Sequence, residues 1–266
     1  MYDRFNRKIT YLRVSVTDRC NLRCRYCMGP EGITLIPHDQ VLRYEEIIEF
    51  VTIAAARGIT KVRLTGGEPL VRKGIVSLVE QLSVIEGIDD LAMTTNGTLL
   101  DRLAEPLKQA GLHRLNISLD TMDPEQYRYI TRMGSIDDVL RGIEAAAKAG
   151  FSGTKINTVI ESSPDEPDAQ AVKKFAEDHN LEIRFIRKMD LEKGEFWPVI
   201  GGRGGICSQC NRIRLTSDGM VRPCLFSNLG YSIRDLGMEK AMLAAVENKP
   251  EHGGMNHVTR FYNVGG

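Results

Sequence analysis

Residues 17–29 read TDRCNLRCRYCMG, and their three cysteines follow the spacing CxxxCxxC. Three thiolates this close together can hold one side of an iron–sulfur cube and leave one iron without a protein ligand. Structural zinc takes four ligands, and no fourth cysteine or histidine lies nearby in the sequence. Ferredoxin motifs also differ, because a further cysteine follows within the same run. The spacing therefore indicates an iron that is open to a small molecule.

Around this motif, between residues 8 and 190, short β-rich runs alternate with amphipathic helical stretches. The strand candidates are ITYLRVSV, KVRLTGG, LAMTTNG, RLNISLD, TKINTVI and EIRFIRKM. The helix candidates are YEEIIEFVTIAAARG, IVSLVEQLSVIEG, LAEPLKQAG, IDDVLRGIEAAAKAG and AQAVKKFAEDHN. Strict alternation predicts a parallel sheet with right-handed crossovers. Six units are too few for a closed eight-stranded barrel, so we expect an α/β fold with a partial (βα)6 barrel and its ligand site at the carboxyl ends of the strands.

The pattern changes after Met189, where the glycine-rich segment LEKGEFWPVIGGRGG marks a boundary. The residues beyond it include a hairpin around 217–219 and a helix near 235–247. The expected organisation is a partial-barrel domain over residues 1–190 and a small C-terminal iron–sulfur cluster domain with a tail over residues 191–266. The second part is too small to be an independent folding unit and reads as an appendage of the first.

Composition limits the class of protein and its compartment. Lysine plus arginine equals aspartate plus glutamate at 35 each, so no basic excess suggests a nucleic-acid polymer as partner. The N-terminus has no apolar core of a signal peptide, and no run of 18 apolar residues predicts a membrane span. The expected compartment is the cytoplasm, where thiols stay reduced, so the six cysteines favour metal binding over three disulfides.

The second group of cysteines lies in CSQCNRIRLTSDGMVRPC, residues 207–224, and comprises Cys207, Cys210 and Cys224. One interpretation is a closed zinc or cluster site with His252 or His257 as the fourth ligand. The other is a second open cluster beside an anion. Arg212 and Arg214 alternate along a strand, so both guanidinium groups can reach one cavity and match phosphate geometry. The plain alternative is that they are solvated hairpin charges.

The CxxxCxxC motif, with the aromatic Tyr26 before its last cysteine and after the first strand of a βα array, resembles the radical S-adenosylmethionine (SAM) superfamily. That resemblance implies a 4Fe–4S cluster on Cys20, Cys24 and Cys27 whose open iron chelates SAM. Reduction would release a 5′-deoxyadenosyl radical that abstracts hydrogen from a substrate. The GGEP stretch at 66–69 resembles the loop that meets the SAM amino group, its glycines letting the backbone approach the ligand.

The pattern C-x-x-C-N-R-I-R-L-x-x-D-G…R-P-C-L-F resembles the GTP 3′,8-cyclase family (MoaA) of molybdenum-cofactor biosynthesis. The resemblance implies a second 4Fe–4S cluster on Cys207, Cys210 and Cys224, whose open iron holds the guanine of GTP. The SAM-binding positions it implies are Tyr26, Gly67, Glu68, Thr94, Ser118 and Met189. The GTP-binding positions it implies are Arg13, Lys61, Arg63, Thr65, Lys155, Arg184, Arg212 and Arg214. The double-glycine tail that reaches the active site would be Gly265 and Gly266.

The resemblance also implies partners: GTP as substrate, a reductant protein of the flavodoxin or ferredoxin type, and a downstream cyclic pyranopterin monophosphate synthase. A homodimer is a possible assembly. Two features depart from the family. Residues 190–206 are far fewer than the family inserts before its second cysteine group, and Arg187 followed by Lys188 replaces an acidic residue. A radical SAM enzyme acting on a peptide or another nucleotide, and a non-catalytic zinc or iron–sulfur scaffold, are therefore the alternatives.

Overall fold

The computed structural model describes residues 1–258 and residue 261. Its strands are β1 (Tyr11–Ser15), β2 (Lys61–Thr65), β3 (Asp90–Thr95), β4 (Arg114–Ser118), β5 (Lys155–Ile160), β6 (Glu182–Arg187), β7 (Arg212–Leu215), β8 (Met220–Arg222) and β9 (Tyr231–Ser232). Its helices are α1 (Tyr44–Ala56), α2 (Ile75–Ser83), α3 (Leu100–Gln109), α4 (Pro124–Thr131), α5 (Ile136–Lys148), α6 (Pro167–Asp178), α7 (Ile233–Leu236) and α8 (Met238–Glu247). No helix in this part of the chain has the length and apolar character needed to span a bilayer.

All strands belong to one sheet, in the order β6-β5-β4-β3-β2-β1-β7-β8-β9. The first six are parallel, as the alternating sequence pattern predicts, and each predicted strand overlaps an observed one. The predicted α/β partial barrel is therefore confirmed. Helices α1 to α6 cover one face of the sheet, and the residues between them form one apolar core that includes Phe50, Leu64, Leu78 and Leu91, all without exposed area. The other face is left for the site.

Strand β7 adds to the free edge of β1 in parallel, with Arg13 opposite Arg214 and Leu12 opposite Ile213. Strand β8 then returns antiparallel, which confirms the predicted hairpin. The residues after 190 thus extend the same sheet, and α8 packs against α1 and β8. This arrangement agrees with an appendage of the first unit, while the division into domains 1–190 and 191–266 stays a prediction.

Helix α4 is absent from the predicted helices. It is only eight residues long, too short for a clear amphipathic period, and its start is set by chemistry rather than by pattern. Pro124 occupies the first turn, and the Asp123 carboxylate accepts a 2.8 Å hydrogen bond from the Gln126 N–H. The sixth strand also differs from the expected (βα)6 pattern, because residues 188–206 follow β6 without forming a helix.

Gly142 provides a test of how the helices pack. A Cβ at this buried position of α5 would lie 2.1 Å from the Gly97 carbonyl oxygen, which is backbone and cannot move aside. Alanine gains about 1 kcal/mol in helix propensity, but the clash costs about 1–3 kcal/mol or more. We expect Gly142→Ala to lower the free energy of unfolding in urea titrations. Ala147→Gly, at an exposed position of the same helix, should cost only about 1 kcal/mol; a more stable Gly142→Ala protein would contradict this packing.

Candidate active site

One cavity of about 340 Å³ lies on the open face of the sheet and brings the two cysteine groups together. All six cysteines line it, and all six are free thiols, so the structure has no disulfide among them. The cysteines occupy opposite ends of the β1–β7 pair. Cys20 to Cys27 follow the carboxyl end of β1, whereas Cys207 and Cys210 precede the amino end of β7. Strand β1 has five residues, so about 16 Å of strand separates the two ends.

The loop that carries the first cysteine group is held by helix α4. The backbone N–H groups of Arg23 and Arg25 donate to carbonyls at the end of that helix, at 3.1 and 2.9 Å. Arg132, which follows the helix with a positive φ of 62°, donates from Nη1 to the carbonyls of Arg23 and Met28. The loop conformation is therefore fixed by the protein itself, through a helix that sequence periodicity does not reveal.

The chemistry of the first cysteine group fits an iron–sulfur cluster. Cys20 Sγ accepts hydrogen bonds from the Leu22 N–H at 3.4 Å and from Asn96 Nδ2 at 4.0 Å, which are the contacts that tune cluster sulfurs. Burial raises the pKa of the Cys24 and Cys27 thiols to about 12, and repulsion from neighbouring thiolates adds to the effect. Bound iron would remove this penalty by compensating the thiolate charge.

The glycines of the GGEP loop pack closely against another part of the chain. A Cβ at Gly67 would lie 2.2 Å from the Arg19 carbonyl oxygen, and one at Gly66, where φ is 149°, would lie 2.5 Å from the Thr17 carbonyl oxygen. Both glycines also line the cavity, and the expected approach of their backbone to SAM stays a prediction. What approaches them is the chain's own loop leading into Cys20, and the Gly67 and Glu68 N–H groups donate to that loop at 2.7 and 2.8 Å.

Glu68 is fully engaged inside the protein. Its carboxylate accepts hydrogen bonds from Thr95 Oγ1 and the Asn96 N–H, both at 2.7 Å, and from the Leu70 N–H at 3.0 Å. Burial raises its pKa to about 7 in spite of these three bonds. Glu68 lines the cavity as predicted, but its carboxylate oxygens join β3 to the GGEP loop. Its assignment to SAM stays a prediction.

The other predicted SAM positions also lie on the cavity wall: Tyr26, Gly67, Thr94, Ser118 and Met189. Thr94 Oγ1 is buried without a hydrogen-bond partner in the structure. Both amide atoms of Asn116, which stands opposite Thr94 on β4, are likewise buried and unsatisfied. Buried polar groups without partners are rare and costly, so Thr94 Oγ1, which lines the cavity, fits a polar ligand there, whereas Asn116 does not line the cavity.

The second cysteine group sits among positive charges. Burial raises the pKa of Cys210, but Lys249 and Arg212 outweigh it and lower the value to about 7. His252 and His257, the alternative fourth ligands, are both exposed. Among residues 1–258 and 261, no group of three or more histidine, cysteine and acidic side chains is placed to hold a single metal ion, as a closed zinc site requires. The lowered pKa of Cys210 suits a thiolate ligand.

A row of arginines crosses the sheet between the two cysteine groups. Arg13 on β1 stands in register with Arg63 on β2 and Arg214 on β7. Burial, with repulsion from the other guanidinium groups, lowers the pKa of Arg63 to about 10 and that of Arg214 to about 9. Like charges side by side on adjacent strands are destabilising. The row is therefore a site that an anion would stabilise.

The eight predicted GTP positions divide into two sets. Arg13, Thr65, Arg212 and Arg214 line the cavity, whereas Lys61, Arg63, Lys155 and Arg184 do not. Lys61 pairs with Asp90 at 2.5 Å, and Lys155 pairs with Glu182. Arg184 Nε, like Arg63 Nε, is buried without a partner in the structure. All eight assignments stay predictions. Gly265 and Gly266 lie outside the described residues.

The short segment 190–206 forms one side of the cavity. Ile200 pairs with Phe185 of β6, and the Val199 N–H donates to the Gly204 carbonyl at 2.9 Å. The Arg187 guanidinium lies 4.0 Å from the centre of the Trp197 ring. Together these contacts fold the segment back over the sheet, so that Phe196, Val199, Gly204, Gly205 and Ile206 contribute to the wall. The shortened stretch thus leaves a wall in place.

Three contributors to the site escaped sequence analysis. Tyr11 lies among the arginines, and Arg13 and Arg63 outweigh its burial to lower its pKa to about 8. Asp120 accepts a hydrogen bond from the Tyr26 hydroxyl at 2.9 Å. Lys249 is buried beside the second cysteine group. A tyrosine or lysine in a strand or after a helix has no local signature, and only register or tertiary contact could find it.

The fold and the site define a class of enzyme. The model of the radical SAM superfamily matches residues 14–174, so the chain belongs to that superfamily. The structure of anSMEcpe with bound AdoMet (SAM) is similar in fold, with a TM-score of 0.68 and 16% identity over 91% of this chain and 80% of that one. Membership implies a 4Fe–4S cluster and SAM at the first cysteine group.

Within the superfamily the curated relatives are GTP 3′,8-cyclases. The protein of Thermodesulfovibrio yellowstonii is 42% identical over 282 positions, which cover 89% of this chain and 88% of the relative. That of Moorella thermoacetica is 42% identical over 85% of this chain and 84% of the relative. The chain belongs to this GTP 3′,8-cyclase family. The first alignment is longer than the 266 residues of the chain, so the relative has residues that this chain lacks.

Asp120 supplies a test of the pH dependence. Burial raises its pKa from 3.8 to about 6, so the folded protein holds this proton more tightly than the unfolded chain does. The free energy of unfolding should therefore fall as pH rises across that window. In Asp120→Asn, Oδ1 can still accept the 2.8 Å hydrogen bond from the Val159 N–H, and the amide N–H can donate to the Tyr26 hydroxyl oxygen, with no charge to bury. In urea titrations without iron or SAM, we expect the variant to gain stability relative to wild type between pH 4 and 6; a pH-independent difference would contradict the assignment.

Proposed function

We propose that the protein is a radical SAM GTP 3′,8-cyclase that converts GTP to 3′,8-cyclo-7,8-dihydro-GTP in molybdenum-cofactor biosynthesis. The observation that carries the proposal is the placement of both cysteine groups on one cavity, with the row of arginines between them. The curated relatives support the choice of reaction, since they are similar over most of the chain. A peptide substrate would have no evident use for three guanidinium groups in register, two of them buried.

The donor sets support two 4Fe–4S clusters in this proposal. Cys20, Cys24 and Cys27 would hold the first, and Cys207, Cys210 and Cys224 the second, each leaving one iron for a ligand. The first cluster with SAM supplies a 5′-deoxyadenosyl radical, the hydrogen acceptor that the reaction at C3′ of the ribose requires. Thr94 Oγ1, which lines the cavity and has no hydrogen-bond partner among the described residues, would give a polar group of SAM a partner.

The protein's own contribution is positioning and charge. Arg13, Arg212 and Arg214 line the cavity and would bind the triphosphate, and fixed guanidinium groups orient it through paired hydrogen bonds. Apolar residues of the wall, Phe196 and Ile206 among them, would exclude water from the reacting carbons. Holding C3′, C8 and the adenosyl carbon within reach of one another supplies most of the rate enhancement that positioning can give.

The proposal carries further expectations about context. A cytoplasmic location suits the six free thiols, because that compartment keeps them reduced. A flavodoxin- or ferredoxin-type protein would deliver electrons to the clusters. A cyclic pyranopterin monophosphate synthase would take up the product. The proposal also includes a homodimeric assembly, which sedimentation would test.

The decisive experiment uses anaerobically reconstituted protein with SAM, dithionite and GTP deuterated at C3′. We expect about eight irons per chain, deuterium in 5′-deoxyadenosine, and a cyclised nucleotide whose mass equals that of unlabelled GTP. Unlabelled 5′-deoxyadenosine would overturn GTP as substrate and direct the search to peptides or other nucleotides. Zinc without sulfide would overturn the enzymatic assignment and favour a scaffold.

A substitution of Arg13 allows the effect on GTP binding to be measured separately from the effect on folding stability. Arg13→Leu removes the central charge of the arginine row, so repulsion between Arg63 and Arg214 and their neighbour disappears. We expect the free energy of unfolding without ligand to be unchanged or higher, while the Kd for GTP rises about tenfold or more. Arg203→Leu, an equal charge change at an exposed position, is the control and should leave the Kd unchanged. Equal Kd values for both variants would remove Arg13 from the site.

A further inference from the structure

Lys249 is a buried cation that the proposed reaction leaves unexplained. Lys249 is only 1% exposed, and it lines the cavity beside the second cysteine group. No carboxylate of the described residues lies within ion-pairing distance of it. A buried charge without an opposite charge is expensive, so its place in the fold calls for an anion nearby.

The contacts of Lys249 point to that anion. Its Nζ donates to the Arg212 carbonyl at 2.8 Å and to the Pro223 carbonyl at 2.5 Å. Arg212 comes two residues after Cys210, and Pro223 comes immediately before Cys224. One ammonium group thus links the backbone next to Cys210 to the backbone next to Cys224. Lys249 lines the same cavity as both of these cysteines.

Arg7 offers a comparison at the same cysteine group. It donates from Nη1 to the Cys207 carbonyl at 2.8 Å and to the Glu251 carbonyl at 2.9 Å. Unlike Lys249, it has an ion-pair partner, because Asp3 accepts from its Nε at 2.7 Å and both side chains are buried. Both side chains therefore hold backbone carbonyls in place. The charge of Arg7 is neutralised by Asp3, whereas no carboxylate of the described residues neutralises the charge of Lys249.

We propose that Lys249 is the positioning residue and counter-charge of the second cysteine group: it sets the spacing of Cys210 and Cys224 and stabilises the reduced, more negative state of the cluster they hold. This inference rests on the second cluster of the proposed function. A fixed positive charge beside a cluster favours the added electron, because the interaction is little screened in a buried site. Removal of that charge lowers the reduction potential.

The test compares Lys249→Met, Lys249→Arg and Arg7→Met with wild type, and Lys240→Met, an exposed lysine of α8, is the control. The readouts are iron content and the midpoint potentials of both clusters, followed by electron paramagnetic resonance during redox titration. We expect Lys249→Met to shift the potential of one cluster to more negative values and to leave the other unchanged. Lys249→Arg should restore part of the shift. Arg7→Met should lower iron content without shifting the potential of the cluster retained.

The outcomes separate the two proposals. Wild-type protein with about four irons and one redox transition would overturn the second cluster, and with it the basis for this inference. Two clusters in wild type with unshifted potentials in Lys249→Met would overturn the role of Lys249 and leave the cyclase proposal intact. Loss of the second cluster from Lys249→Met alone, with Lys249→Arg retaining it at the wild-type potential, would reduce the role to positioning and overturn the counter-charge.

Discussion

The parallel pairing of β7 with β1 is the constraint on which the site depends. Those two strands lie about 200 residues apart in sequence, and their register sets Arg13 beside Arg214. Because the strands run in the same direction, the cysteines after β1 and those before β7 are placed at opposite ends of one strand pair. Any residue facing inward along that pair then lies between the two groups. The cavity between the two cysteine-bearing loops follows from this single edge.

The site places positive charges close together within the sheet, which is electrostatically unfavourable. Arg13, Arg63 and Arg214 place like charges in register, and Lys249 is a buried cation without a carboxylate partner among the described residues. Anionic thiolates, clusters and a triphosphate would each relieve part of that energy, so ligand binding and folding stability are thermodynamically linked. This accounts for basic residues being buried in a protein whose overall charge is zero.

The short segment after β6 shows how a wall can be formed with few residues. Cation–π stacking of Arg187 on Trp197 and a β-bridge between Phe185 and Ile200 keep the segment over the sheet. Arg187, which stands where the family has an acidic residue, is thereby given a structural partner. The short segment, which departs from the family in length, is thus held over the sheet by contacts of its own residues.

Local chemistry in the sequence determined the six parallel strands, most of their helices, and the two cysteine groups, because period, spacing and thiol chemistry act over a few residues. The roles of Gly66 and Gly67, the helix α4 that holds the first loop, and the burial of Lys249 were decided by tertiary structure. Each depends on a contact with backbone that is distant in sequence: the 17–19 loop, residues 23–28, and the carbonyls of Arg212 and Pro223. Sequence spacing carries no information about these long-range contacts, since strand register and packing across the whole chain set them.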